Sequence, residues 1–229
     1  MKKYALLVAG GVGKRMKSTI PKQFLPLAGK PVIVHTIEAF RDYDPDIEVI
    51  LVLPEAHMGG WNHIGKKYYL LHLVTEVVGG ESRFQSVKAG LEHAETGSLI
   101  AIHDGVRPLV DKEIIAAGFE TAASAGSAVT SVPLKESIRK VTDEGSQGLD
   151  RSLYRIIQTP QTFKTDLIKE AYNQDESPIF TDCASVAESA GMSVSLTEGN
   201  YTNLKITGPE DLHLAVALYI MKKGMPDAG

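Results

Sequence analysis

The chain has almost no cysteine: its 229 residues include one, Cys183. A single thiol excludes an intrachain disulfide framework and suits a reducing compartment. No apolar run reaches the roughly 18 residues expected of a membrane span. Positive charge is not in excess either, since the formal net charge is -4. A general nucleic-acid binder is usually basic, so that class is disfavoured. The sequence carries no internal repeat, low-complexity tract or convincing linker. Its start, Met1-Lys2-Lys3 followed by Ala5 to Ala9, has the outline of a signal peptide, but the apolar segment is too short and Gly, Lys and Arg follow at once. The expectation is a single cytoplasmic domain over residues 1–229, with no nucleic-acid and no membrane partner.

What is present is a repeat of apolar runs and amphipathic stretches. Hydrophobic content of 43% with 23% charged residues is ordinary for a globular protein. Strands are predicted over 4–9, 47–53, 73–78, 99–103 and 128–133, and helices over 31–40, 61–71, 82–94 and 111–124. This alternation argues for a doubly wound, mostly parallel α/β sheet, with ligands at the C-terminal ends of the strands. The pattern breaks at 134–158. Short alternating segments at 137–141 and 153–158 flank a polar turn, which predicts a protruding hairpin arm. An arm cannot bury both faces on its own domain, so a C2 homodimer is expected. Helical signals resume at 164–173 and 182–190, short strands are predicted at 194–197 and 202–207, and a last helix opens near Pro209.

The densest chemistry lies between Leu6 and Gln23. An apolar run ends in Gly10, Gly11 and Gly13, and Lys14, Arg15, Lys17 and Lys22 follow. Glycines let backbone N–H groups converge on an anion, and the cations supply counter-charge. A turn with surface lysines is the simpler alternative. Two common glycine motifs fail. A dinucleotide fingerprint needs a third Gly or Ala where Met16 stands, and an acid about 20 residues on that is missing. A P-loop needs Ser or Thr after Gly-Lys, and Arg15 stands there.

Three further groups point to the same sheet edge. Asp104 follows a predicted buried strand, where a carboxylate can hold a divalent metal that bridges phosphates. Gly105 permits close approach, and Arg107 can take a second anion. His103 reads as an orienting or core histidine. Gly79-Gly80-Glu81-Ser82 opens a helix, with Ser82 and Gln85 spaced as a capping box and Ser86 facing the cleft. Lys205 stands between apolar residues, either as an edge charge or as a cation aimed at phosphate. Arg151 reads as a solvated surface charge.

In order along the chain, Ala9 to Met16, Pro21-Lys22-Gln23, His103-Asp104-x-x-Arg107-Pro108, Asp150-Arg151, Gln158 to Gln161, Thr181-Asp182 and Leu204 to Leu212 resemble the motifs of the sugar- and polyol-phosphate cytidylyltransferase family. The resemblance covers nearly the whole chain. Its nearest pattern is the branch acting on 2-C-methyl-D-erythritol 4-phosphate in the non-mevalonate isoprenoid pathway. A branch acting on ribitol 5-phosphate shares most motifs. A non-catalytic nucleotide-binding module on the same Rossmann-like fold is the alternative from another class.

The resemblance implies Mg²⁺-dependent transfer from CTP to a polyol phosphate, with release of pyrophosphate. Arg15, Lys22 and Lys205 would be catalytic, and Asp104 would hold the metal. Ala9, Gly10, Gly11, Gly13, Gly80, Glu81, Ser86 and Gly105 would bind the nucleotide. Arg107, Ser137, Arg151 and Thr181 would bind the acceptor, with Arg151 lent by the arm of the second subunit. That last implication replaces the surface-charge reading of Arg151. This chain has Gly10, Gly105 and Ser137 where the family often has Ala, Ala and Thr, and Glu81 where Asp is frequent.

Overall fold

The computed structural model describes residues 1–11, 16 and 18–223. Strand β1 (Lys3–Val8) opens the chain, and a small ribbon, β2 (Pro26–Leu27) with β3 (Lys30–Pro31), precedes helix α1 (Val32–Tyr43). Then come β4 (Glu48–Leu53), α2 (Glu55–Lys67), β5 (Val74–Val78), α3 (Arg83–Leu91), β6 (Leu99–Asp104) and α4 (Lys112–Ala125). β7 (Ser127–Pro133) leads to a hairpin, β8 (Ile138–Thr142) and β9 (Gly145–Leu149). β10 (Arg155–Lys164), α5 (Thr165–Ala171), α6 (Cys183–Ser189), β11 (Leu196–Glu198) and α7 (Pro209–Lys223) follow.

Seven strands form the main sheet in the order β11-β7-β10-β6-β1-β4-β5. β1 pairs in parallel with β4 and β6, β4 with β5, and β7 with β11. β10 runs antiparallel between β6 and β7. The sheet is therefore mostly parallel and α/β, as the alternation predicts.

Side chains of a strand alternate between faces, and here both faces are buried, so the central strands are apolar throughout. Ala5, Leu7, Val49 and Leu51 pack with Ile33, Ile37, Phe40 and Phe119 from α1 and α4. Tyr4, Leu6, Ile50 and Val52 pack with Val87, Leu91 and Ile168 from α3 and α5 on the other face. Each fully buried Leu, Ile or Phe contributes about 1.5–3 kcal/mol, so these two layers dominate the fold's stability. α4 ends at Gly126, whose φ of 88° is the left-handed cap that a residue with a Cβ adopts only with strain. A smaller cluster, Met16, Leu27, Val32, Val106, Ile206 and Ala215, seats α7 beside the sheet edge.

Three local expectations change. The arm is a hairpin of β8 and β9, and the predicted second segment belongs to β10 of the main sheet. The Gly145–Leu149 strand, GSQGL, overlaps the predicted polar turn, and nothing in it is β-branched to mark a strand. Residues 202–207 are a loop and not a strand. α2 begins at Glu55, directly after Pro54, and runs through Gly59 and Gly60, whose poor helix propensity hides its first turns.

Candidate active site

β1, β5 and β6 all end at one edge, and the segments after them wall a cavity of about 330 Å³. Ala9, Gly10 and Gly11 supply its β1 side, and Gly80, Glu81 and Ser86 supply the side after β5. Lys22, Asp104 and Lys205 complete the charged part. Ser82 caps α3 by accepting a hydrogen bond from Gln85 N at 3.1 Å. Gln85 reaches back to Glu81 N, at 3.0 Å, one residue short of the capping box the spacing suggests. The effect is the same: the turn carrying Glu81 is fixed over the cavity. Ser86 Oγ donates to Gly80 O at 3.4 Å and ties the helix to that turn.

A second cavity, of about 210 Å³, adjoins the first. Arg107, Thr181, Asp182, Gln158, Thr159 and Gln161 line it. Arg83, Asp104 and Lys205 line both cavities and form their common wall. Cavities that meet at a wall of two cations and one carboxylate suit two anionic ligands whose reacting ends face each other.

Asp104 is the centre of that wall. Its Oδ2 lies 3.1 Å from Arg107 Nε and 3.1 Å from Lys205 Nζ. Burial pushes the Asp104 carboxyl up, but the Lys205 ammonium and the Arg107 guanidinium outweigh it and hold the group well below the usual carboxylate range. Asp104 stays ionised. Arg107 is itself buried and donates from Nη1 to Asn203 O at 2.7 Å. Burial opposes the charge of Arg83, yet Cys183, 3.2 Å from Nη1, and Asp104 raise its pKa above the ordinary arginine value.

His103 organises the wall from behind. It is fully buried, and burial lowers its pKa to about 4, so the ring is neutral. Its Nε2 lies 3.2 Å from Arg107 O, which only an N–H can satisfy. Nδ1 therefore accepts from Thr159 Oγ1, 3.0 Å away, and that hydroxyl accepts from Asp104 N at 3.0 Å. The reading of His103 as an orienting residue agrees with this geometry.

Lys205 owes its place to its neighbours. Asn203 is buried and donates to Thr159 O at 2.8 Å and Gln158 Oε1 at 3.2 Å. Ile206 N donates to Val106 O at 2.9 Å, and Lys22 Nζ donates to Ile206 O at 3.1 Å. Pinned on both sides, the loop projects Lys205 into the wall without strand pairing.

The structure brings Ala9, Gly10, Gly11, Lys22, Gly80, Glu81, Ser86, Asp104 and Lys205 to the first cavity, and Arg107 and Thr181 to the second. Gly13 and Arg15 lie outside the described residues. Gly105 sits behind the wall: a Cβ there would stand 2.9 Å from Ala9 Cβ and from Ile33 Cδ1, so glycine lets β6 approach β1. Ser137 and Arg151 are exposed on and beside the arm and line neither cavity, and Arg151 Nη1 donates to Lys135 O. Arg83, Gln158 and Thr159 line the cavities too, although the sequence motifs assign them no role. Arg83 hid in the first turn of α3, where its spacing resembles a surface residue.

Among the described residues, no group of three or more His, Cys, Asp or Glu side chains could hold a metal ion. A protein-only cage is thus missing there, and Asp104 is the one carboxylate common to both cavities. Magnesium is commonly held by one or two carboxylates plus substrate phosphates, and Asp104 fits that pattern. No helix among these residues is long and apolar enough to cross a membrane.

Comparison with known proteins agrees with the geometry. Residues 4–223 match the IspD family model, 2-C-methyl-D-erythritol 4-phosphate cytidylyltransferase. A protein of that name from Bacteroides thetaiotaomicron is 46% identical over 220 residues, which is 95% of this chain and 100% of the relative. The crystal structure of 4-diphosphocytidyl-2C-methyl-D-erythritol synthase from Anaerococcus prevotii superimposes with a TM-score of 0.81 at 26% identity, covering 96% of each chain. The 2-C-methyl-D-erythritol 4-phosphate cytidylyltransferase of Thermus thermophilus gives a TM-score of 0.75 at 30% identity, over 95% of this chain and 98% of that one.

Proposed function

The chain belongs to the 2-C-methyl-D-erythritol 4-phosphate cytidylyltransferase family, and from that premise we infer that it joins CTP to 2-C-methyl-D-erythritol 4-phosphate. The products are 4-diphosphocytidyl-2-C-methyl-D-erythritol and pyrophosphate, a step of non-mevalonate isoprenoid synthesis. The observation that carries the reaction type is the common wall of Asp104, Lys205 and Arg83 between two cavities. Neither a ribitol-phosphate acceptor nor a non-catalytic module is favoured, because the matched family and the relatives named above carry the methylerythritol name.

In this reading the first cavity takes CTP and the second takes the polyol phosphate. A phosphate oxygen of the acceptor attacks the α-phosphorus of CTP. The bond from that phosphorus to the bridging oxygen breaks, and pyrophosphate leaves with the electron pair. The attacking group is already an anion, so no general base is required. What the chain must do is bring two anions together and cancel their repulsion, which is positioning and electrostatic stabilisation. Lys22, Lys205 and Arg107 supply that charge, and the family resemblance adds Arg15. Glu81, Ser86 and the Ala9 to Gly11 backbone hold the nucleoside. Thr181 and Arg107 hold the acceptor. Mg²⁺, held by Asp104 with phosphate oxygens, would neutralise developing charge.

The same reading includes a homodimer in which each arm reaches the partner's site with Arg151 and Ser137. Its support is the surface of the arm and of the segment that returns from it: Val141 on the hairpin is 78% exposed, and Leu153 at 79%, Tyr154 and Ile156 follow on the way into β10. Exposed apolar groups on a slender hairpin and its root suit a covering partner. A cytoplasmic location belongs to it too, supported by the reduced, buried Cys183. Incubation with CTP, Mg²⁺ and either methylerythritol 4-phosphate or ribitol 5-phosphate tests the proposal through pyrophosphate release. Release with the first alone is expected, and release with neither would sink it.

A further inference from the structure

Gln23 lies on the first cavity's wall, is fully buried and points its amide at the backbone of the glycine turn. Nε2 donates to Ala9 O at 2.9 Å and stands 3.0 Å from Nδ1 of His57, in the first turn of α2. Oε1 is buried with no hydrogen-bond partner among the described residues. The amide's orientation follows from Ala9: a carbonyl accepts only from N–H, so the NH₂ group must face it. Its second proton then goes to His57 Nδ1, which makes the ring a neutral acceptor. Burial of His57 lowers its pKa, which favours that state.

Ala9 is held from the other side as well, since its N–H donates to Val52 O at 2.9 Å. The Ala9–Gly10 peptide is planar and trans, so its C=O and N–H point in opposite directions. Fixing Ala9 O on Gln23 therefore fixes the Gly10 N–H on the opposite side of the peptide. Gly10 is one of the glycines that wall the cavity.

We propose that Gln23, held by His57, is a positioning residue that sets the Ala9–Gly10 peptide for nucleotide binding. His57 acts at two removes and touches no substrate. The proposal rests on the assignment of the first cavity to CTP. Loss of this relay leaves the wall between the cavities intact, so it weakens CTP binding and spares turnover.

Steady-state kinetics on the full chain, with CTP and the polyol phosphate varied separately, tests this. Gln23→Leu is expected to raise the KM for CTP about tenfold, in line with a lost buried hydrogen bond. His57→Leu is expected to raise it about threefold to tenfold. In both, kcat and the acceptor KM stay within about twofold, and His57→Asn, whose Oδ1 can stand in for Nδ1, brings the CTP KM back to within about twofold of the parent. Equal loss in His57→Leu and His57→Asn, or parallel changes in both KM values, would overturn the proposal in favour of simple packing. Gly11→Val, which adds bulk to the cavity wall itself, separates the two assumptions. A raised CTP KM in Gly11→Val with none in the Gln23 and His57 variants refutes the relay alone. No change in Gly11→Val places the nucleotide elsewhere and removes the relay with it. If Gln23→Leu fails to fold, the two His57 variants decide.

Discussion

Lys205 Nζ lies 3.1 Å from Asp104 Oδ2, and this pair closes the wall between the two cavities. Lys205 is 45% exposed at its side chain whereas Asp104 is 9%. The carboxylate is fixed and buried, and the ammonium reaches it from a pinned loop. A lysine placed that way can turn from Asp104 to an incoming phosphate without disturbing the core.

Lys205→Met is expected to lower kcat by about 10²–10³, the range seen when one preorganised charge-stabilising donor is lost. The melting temperature should fall only modestly, because Arg107 still pairs with the buried Asp104 carboxylate at 3.1 Å. Pyrophosphate release under saturating CTP and acceptor reads the first quantity, and thermal denaturation reads the second. A large loss of stability with modest loss of turnover would make Lys205 a structural residue.

Asp104→Asn removes the one carboxylate shared by the cavities. The Mg²⁺ concentration for half-maximal turnover should rise by about tenfold or more, as for lesions in metal sites generally. Chelation with EDTA should abolish activity in the parent chain. A Mg²⁺ requirement unchanged by Asp104→Asn would assign the metal to other groups.

Stability should fall as the metal-free chain is acidified through the histidine range. The unfolded His103 has a pKa of 6.5 and the folded one about 4. Between these values the unfolded state binds the extra proton, so stability is full above pH 6.5 and is lost progressively down to about 4. The loss amounts to roughly 3 kcal/mol at 1.36 kcal/mol per unit. Asp104, whose folded pKa is also depressed, continues the loss at lower pH. Denaturant midpoints measured from pH 7 downward in EDTA would show it, and His103→Gln should flatten the upper part of the curve. An identical slope in that variant would point to other groups.

An Arg151→Ala chain mixed with an Arg15→Ala chain tests arm exchange. In a heterodimer one site receives Arg15 from its own chain and Arg151 from the other. With random pairing of inactive parents, activity should recover to roughly a quarter of the parent value. Recovery of nothing, with heterodimers demonstrated by size and tag, would place Arg151 in its own subunit's site or in none.

The sequence made β1, β4 and β6 readable because Leu6, Ile50 and Ile102 sit in β-branched or apolar runs buried on both faces. It concealed the second half of β10. Thr159, Gln161 and Thr162 fall beyond the predicted segment at 153–158, yet like Gln158 they are buried in a central strand. They are polar because of what they serve: Thr159 carries Asp104 N and His103, and Gln161 Oε1 accepts from Cys183 N and Ala184 N at the start of α6. Glycine clusters and cations marked the site's rim, since those residues contact ligand through common chemistry. Arg83 and Gln23 were harder to see, because their roles depend on partners 100 and 14 residues away, Cys183 and Ala9. Lys205 reads as a strand residue because its flanks, Leu204 and Ile206, are apolar, but they are apolar to seat α7, not to alternate across a sheet.

The common wall has a consequence for inhibition. In the proposed reading each substrate would fill one cavity, and the product would span both across Asp104 and Lys205. A non-hydrolysable compound that joins a cytidine to a polyol through a diphosphate mimic presents its second half at a high effective concentration once the first is seated. Such a compound should bind far more tightly than either half alone, and the enzyme itself should feel its product more strongly than it feels either substrate.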